Sequence, residues 1–146
     1  MKKIFFLIVI ALCINTSAYA TATAELQNCK AQNYKEYIIR HYMTSGFAVQ
    51  IHNDYSLTAV REINDTKTKI LMKMIDGAKT NNRMEFQYNY NIIQNGSNTL
   101  VQLTITAVSD SGTVMQRITN IDQKNEVAEL NAVNSNFIGN RSSNDE

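Results

Sequence analysis

The side chains best suited to nucleophilic or acid–base chemistry are few in this chain. They are the histidines His41 and His52, the aspartate Asp54 and the cysteine Cys29. A cysteine, a histidine and an aspartate could form a nucleophilic site, in which the histidine activates the thiol and the aspartate orients the ring. Such a site also needs an oxyanion hole, and the sequence has no Gly-rich or nucleophile-elbow segment to supply one. We therefore expect no catalytic residues, with a Cys29-dependent activity as the alternative.

Metal and cofactor sites also lack their usual residues. A structural or catalytic zinc ion needs three or four ligands, mostly from Cys and His. The two histidines, His41 and His52, lie at no metal-binding spacing. A phosphate-binding loop and a dinucleotide-binding glycine pattern are absent too. The sequence predicts neither a metal ion nor a cofactor.

Residues 1–20 have the pattern of a secretory signal peptide. Two lysines precede an apolar run over residues 4–14, and small and polar residues follow as far as Ala20. The run is too short for a transmembrane helix, which needs about 20 residues. We expect cleavage after Ala20 and a periplasmic or secreted mature chain without a transmembrane segment. Cleavage after Ala22 or Ala24 is also compatible with the pattern.

A lipid anchor at Cys13 is the alternative to simple release. Bacterial lipoproteins place the lipidated cysteine after a small residue, whereas Cys13 follows the bulky Leu12. Cleavage after Ala20 would remove Cys13 and leave Cys29 as the only cysteine, so no intramolecular disulfide could form. Cys29 is then a candidate thiol for reaction or for pairing with another chain. The interpretation that we favour is a buried, inert side chain.

Charge and length limit the function classes. The chain has 14 Lys and Arg against 13 Asp and Glu, and removal of Lys2 and Lys3 leaves 12 against 13. This balance gives no electrostatic reason to expect nucleic-acid binding. About 126 mature residues suffice for one domain with its own hydrophobic core. We expect a single domain over residues 21–139, followed by a polar tail over residues 140–146.

Hydrophobic periodicity predicts an α+β fold, with an antiparallel sheet of four to five strands and two helices packed on one face. The first helix should begin near Asn33 and end at Gly46, and the second should run from about Asp122 to Gly139. The extended segments are predicted at residues 47–52, 55–59, 70–76, 84–92, 101–107 and 114–118. Residues 70–76 fit a helix nearly as well as the strand that we assign.

The second helix should bury one apolar stripe. Its members recur at steps of three, four and one along the chain: Val127, Leu130, Val133, Phe137 and Ile138. Glu126 and Glu129 lie off this stripe, and we expect both on a solvated helix face. Most aromatic side chains are expected in the core: Tyr34, Tyr37, Tyr42, Phe47, Tyr55, Phe86, Tyr88, Tyr90 and Phe137.

Two neighbouring strands also carry uncharged polar side chains on the side away from the core. Strand alternation places these residues together. They form our candidate interaction surface: Gln87, Asn89, Asn91, Gln102, Thr104 and Thr106.

The order of elements resembles that of small bacterial envelope proteins and lipoproteins of unassigned function. Gly46 and Phe47 start a strand after a short helix, and residues 120–130 lead into a closing helix. The same order is similar to the helix-grip domains of outer-membrane assembly lipoproteins. The resemblance covers nearly all of the mature chain, but it rests on element order. It implies a fold and no catalytic residue.

These observations favour an exported, non-enzymatic bacterial envelope protein that acts by protein–protein contact. An accessory, inhibitor or immunity-type factor that binds another envelope protein would fit. The alternative is a small periplasmic carrier that holds an apolar or lipid-like ligand in a cleft between helix and sheet.

Overall fold

The computed structural model describes residues 21–66, 68–70, 83–113 and 116–142. The elements, in chain order, are β1 (Ala22–Leu26), α1 (Ala31–Thr44), β2 (Ala48–Ile51), β3 (Ser56–Glu62), β4 (Glu85–Asn95), β5 (Asn98–Ser109), β6 (Arg117–Asn120) and α2 (Gln123–Ser142). Residues 66 and 68–70 are helical as well. The α+β class is confirmed, with six strands in the described part of the sheet where four to five were predicted.

The sheet is antiparallel throughout, in the order β1-β5-β4-β3-β2. Strand β6 also pairs with β5, on the same edge as β1. Strand β1 occupies the part of that edge from Thr99 to Leu103, and β6 occupies the part from Thr106 to Ser109. The long hairpin of β4 and β5 turns at Asn95–Gly96, as predicted, where Gly96 has a φ of +60°.

Helix α1 starts at Ala31, two residues earlier than predicted. The N–H of Ala31 donates a 2.7 Å hydrogen bond to Oε1 of Gln94, a residue of β4. A side chain from a distant strand thus satisfies one of the first N–H groups, which have no partner within a helix. The other end is as predicted, because Gly46 has a φ of +82° and the Phe47 N–H returns to the Tyr42 carbonyl at 3.0 Å.

Helices α1 and α2 pack on one face of the sheet and form the main core with it. In this core the Tyr34 and Phe137 rings meet edge to face at 5.1 Å, which joins α1 to α2. The largest fully buried side chains of the core are Tyr34, Ile38, Tyr42, Leu57, Tyr90, Ile92, Val101, Leu103, Leu130 and Val133. No helix among the described residues is long and apolar enough to span a membrane.

Helix α2 differs from its prediction in phase and in length. Leu130, Val133 and Phe137 are buried as predicted, but Val127 and Ile138 are 41% and 57% exposed. Glu126 and Asn134 complete the buried face. On that face the Glu126 carboxylate accepts the backbone N–H of Ile105 in β5. The helix also continues through Gly139, which lacks the positive φ of a helix-ending glycine.

Two strand predictions need correction, and one strand was not predicted. Tyr55 lies in the turn between β2 and β3 and is 61% exposed, so it is not a core residue. Ile70 is helical, contrary to the strand assigned to residues 70–76, and the rest of that segment lies outside the described residues. Strand β1 was not predicted, because its inward residues Ala22 and Ala24 are too small to give a clear apolar pattern.

Candidate functional site

The six residues of the predicted interaction surface come together in the structure. They form three successive cross-strand pairs between β4 and β5: Gln87 with Thr106, Asn89 with Thr104, and Asn91 with Gln102. Side chains alternate along a strand, so these residues lie on the opposite side from the core residues between them. Neither α1 nor α2 packs on this side. We call these six residues the polar face.

A row of hydrogen bonds runs across the polar face and extends it to β3. The Thr58 hydroxyl donates to Oδ1 of Asn89 at 2.8 Å, and Nδ2 of Asn89 donates to the Thr106 hydroxyl at 3.5 Å. On the other side, Nε2 of His52 lies 2.8 Å from the Thr58 hydroxyl. Because that hydroxyl already donates to Asn89, His52 must donate its Nε2–H to it. The row fixes the orientation of an amide and two hydroxyls.

Solvent exposure varies across the polar face and the neighbouring residues on the same side of the sheet. Thr58 and Thr106 are only 7% and 8% exposed, whereas Asn91 is exposed. Ile93 continues the same side of β4 and is 42% exposed, and Ile118 of β6 lies beyond the other end at 61%. The surface therefore has an uncharged polar centre with an exposed isoleucine toward each end.

The histidines and Asp54 do not form a catalytic arrangement. His52 bonds to Thr58, as part of the row, and not to Asp54, which is exposed on the turn. Asn53 forms that turn by accepting the Tyr55 N–H on its Oδ1 at 2.8 Å. His41 stacks on Tyr37, with ring centroids 5.7 Å apart, near the end of α1.

Cys29 lies in the core. Its side chain is 2% exposed, and its sulfur is 3.5 Å from the carbonyl oxygen of Lys30. Its own carbonyl accepts a 2.7 Å hydrogen bond from the Thr99 hydroxyl of β5. The backbone of Cys29 is therefore hydrogen-bonded to the sheet. This placement agrees with the buried interpretation of Cys29.

A cleft opens on the helix side of the sheet, between α2 and the strands. Its volume is about 500 Å³, and Phe86, Tyr88 and Ile105 contribute to it from the sheet. Ala128 and Glu129 line it from α2. A second hollow of about 630 Å³ shares Phe86 and Tyr88 and continues past Arg61, whose guanidinium lies 5.5 Å from the centroid of the Phe47 ring.

Beside this cleft, two buried tyrosines and a carboxylate share hydrogen bonds. The hydroxyl of Tyr42 donates to Oε1 of Glu129 at 2.8 Å and lies 2.9 Å from the hydroxyl of Tyr90. Because Tyr42 donates to Glu129, Tyr90 must donate to Tyr42. Burial raises the pKa of both phenols above the ordinary value, and the nearby Glu129 raises them further. Both tyrosines are therefore neutral donors at physiological pH.

The roles of Glu126 and Glu129 differ from those predicted from the sequence. Glu126 is 2% exposed and accepts the N–H of Ile105 at 2.8 Å, and Glu129 is half-buried against Tyr42. The prediction of a solvated pair is thus wrong. One signal was present, since Glu126 precedes Leu130 by four residues and Val133 by seven, which is the spacing of one helix face.

Among the described residues, no group of three or more His, Cys, Asp or Glu side chains could hold a metal ion. No family model and no curated protein sequence matches the chain.

Proposed function

We propose that the protein is exported to the bacterial envelope and there binds another protein through the polar face, without catalysing a reaction. The observation that carries this proposal is the hydrogen-bonded row from His52 to Thr106 on a side of the sheet that neither α1 nor α2 covers. Amides and hydroxyls that already hold one another lose little freedom when a partner binds. The signal-peptide pattern of residues 1–20 supports export.

The character of the polar face suits a protein partner. Centres of protein interfaces are depleted in charged residues, and apolar side chains add contact area. The polar face has no charged member, and Ile93 and Ile118 are exposed beyond its two ends. An accessory, inhibitor or immunity-type factor would use a surface of this kind.

Site-specific crosslinking in the native envelope tests the proposal. A photoreactive amino acid is placed at Asn91 on the polar face and, as a matched control, at Asn33, an exposed asparagine of α1. We expect a defined crosslinked partner from position 91 and none from position 33. Gln102→Arg, directly across the strand pair from Asn91, should abolish that crosslink without altering the far-UV circular dichroism. Capture from position 33 alone, or capture that survives Gln102→Arg, would contradict the proposal.

The cleft supports a second candidate function, that of a carrier for an apolar or lipid-like ligand. Its lining of Phe86, Tyr88, Ile105 and Ala128 is mostly apolar, and Glu129 adds a polar group. Ligand sites of a few hundred cubic ångströms commonly combine an apolar lining with a few polar groups.

Native mass spectrometry of protein purified from the envelope tests this alternative. A carrier should retain a molecule of defined mass. Ala128→Trp should exclude it by filling the cleft, whereas Ala132→Trp, at an exposed site one turn further along α2, should not. A bound molecule that both variants retain equally would lie elsewhere and would count against the cleft.

A further inference from the structure

The outer edge of β5 has a gap between β1 and β6. Pairing with β1 ends at Leu103, and pairing with β6 begins at Thr106. Ile105 lies in this gap, and its backbone nevertheless makes two hydrogen bonds. Its carbonyl accepts the Ile121 N–H at 2.9 Å, and its N–H donates to Oε1 of Glu126 at 2.8 Å. A carboxylate from α2 therefore takes the place of a backbone carbonyl on this edge.

This bond satisfies only one of the two carboxylate oxygens of Glu126. The side chain is 2% exposed. Among the residues that the structure describes, its Oε2 is the one buried side-chain nitrogen or oxygen without a hydrogen-bond partner. A buried carboxylate oxygen without a donor is strongly unfavourable, and a cationic donor would offset both the missing bond and the buried charge. Within the described part of the chain, Glu126 thus has no positively charged donor.

Thr21 lies where it can supply a charged donor. It lines a pocket of about 300 Å³ together with Glu126 and Thr104. The register of β1 and β5 continues to Thr21 and Thr104, whose hydroxyl oxygens are 3.4 Å apart. Because the strands are antiparallel, the N-terminal end of β1 is the end nearest to Ile105 on β5. The backbone nitrogen of Thr21 therefore lies at the end of β1 that is nearest to the gap.

We propose that the α-amino group of Thr21, released by cleavage after Ala20, binds the buried carboxylate of Glu126 as an ammonium ion. Hydrolysis by a signal peptidase breaks the C–N bond between Ala20 and Thr21. Water supplies a hydroxyl to the Ala20 carbonyl carbon and a proton to the Thr21 nitrogen. The new amine gains a further proton near neutral pH, since its ordinary pKa is about 8. An uncharged amide with one N–H becomes a cation with three donors, and the ion pair closes the gap between β1 and β6.

This inference rests on the proposed export and adds that the cleavage position affects stability. Of the three compatible cleavage positions, only cleavage after Ala20 leaves the ammonium on Thr21. Asp122 lines the same pocket and adds negative charge that attracts a cation. Maturation would then complete the edge of the sheet as well as release the protein.

Two mature chains that differ by one residue test the pairing. One begins at Thr21, after release from a fusion by a protease that leaves no extra residue, and the other carries one added serine. The serine keeps the ammonium but moves it by about 3.3 Å along the chain. In urea unfolding at pH 7, the chain that begins at Thr21 should have a folding equilibrium constant about tenfold larger, as expected of a hydrogen bond to a charged group. Glu126→Gln should remove this difference. The matched control Glu129→Gln should retain it.

Two results would overturn the pairing: equal stabilities of the two chains with Glu126 intact, or a difference that persists in Glu126→Gln. If that variant does not fold, the rate at which an amine-reactive ester acylates the N-terminus at pH 7 replaces it. The chain that begins at Thr21 should react about tenfold more slowly than the serine-extended chain, because a paired ammonium is a poor nucleophile. Equal rates would refute the pairing.

The N-terminus of the protein isolated from its envelope separates this inference from the proposed function. Peptide mass spectrometry should find Thr21 as the first residue. A chain that begins at Met1 would overturn export together with the pairing. A chain that begins at Thr23 or Glu25 would overturn the pairing alone. A chain that begins at Thr21 but is no more stable than the serine-extended chain would also overturn the pairing alone.

Discussion

Three buried tyrosines should make the protein lose stability in alkaline solution. Tyr34, Tyr42 and Tyr90 are at most 1% exposed, and burial raises the pKa of each above the ordinary value of 10.0. Above pH 10 the unfolded chain releases three protons that the folded chain retains. Stability from these groups is therefore fully present below pH 10 and falls as the pH rises beyond it.

The size of the loss follows from linkage. One pH unit above its unfolded pKa, a phenol that stays protonated in the fold costs about 1.4 kcal/mol of unfolding free energy. The three tyrosines together should lower that free energy by about 4 kcal/mol between pH 9 and pH 11. Since the chain contains no tryptophan, far-UV circular dichroism during urea titration is a suitable measurement.

Two matched variants isolate the contribution of one phenol. Tyr42→Phe should reduce the pH-dependent loss by about 1.4 kcal/mol. At pH 7 it should cost about 1–3 kcal/mol, because Tyr90 and Glu129 each lose a hydrogen-bond partner. The matched control Tyr55→Phe, at a site that is 61% exposed, should change the free energy of unfolding at pH 7 by less than about 0.5 kcal/mol. A parent protein that loses less than about 1 kcal/mol between pH 9 and pH 11 would refute the placement of these phenols in the core.

Further expectations concern the packing of α2, two glycines and the thiol. Leu130→Ala should cost about 2–5 kcal/mol in urea unfolding, whereas Val127→Ala, at a site that is 41% exposed, should cost less than about 1 kcal/mol. Gly46→Ala should destabilise by roughly 1 kcal/mol because of its φ of +82°. Gly139→Ala should stabilise the protein by roughly 0.5–1 kcal/mol, since an added methyl group would enter open space within α2. A lower stability of Gly139→Ala would contradict the placement of Gly139 within the helix. Cys29, 2% exposed, should react with a thiol reagent only at the rate of opening of the fold, and labelling as fast as that of a small free thiol would show that the site is accessible.

The features that the sequence predicted correctly are those with short-range causes. Alternation of apolar and polar residues along β4 and β5 placed the six residues of the polar face on one side, because successive strand side chains point in opposite directions. Gly46 marked the end of α1, since glycine adopts a positive φ without steric cost. The prediction of an aromatic core was also largely correct, because helix and strand periodicity assigns each side chain to one face. Tyr55, which lies in a turn, is an exception.

The features that were missed depend on partners far away in the chain. Ala31 begins α1 because Gln94, 63 residues later, accepts its N–H. The row on the polar face includes His52 and Thr58 only because the register of β3 with β4 brings Thr58 opposite Asn89. No local pattern contains these pairings.

The sequence by itself therefore determined the fold class, one face of the sheet and the absence of the usual catalytic motifs, because each depends on residue type and spacing within a few positions. Only the tertiary structure decided the phase of α2 and the burial of Glu126. The gap on the edge of β5 leaves the Ile105 N–H in need of an acceptor, and α2 turns a carboxylate inward to supply it. A buried N–H needs an acceptor wherever that acceptor lies in the chain, and Glu126 therefore joins Leu130, Val133 and Phe137 on the buried face of α2.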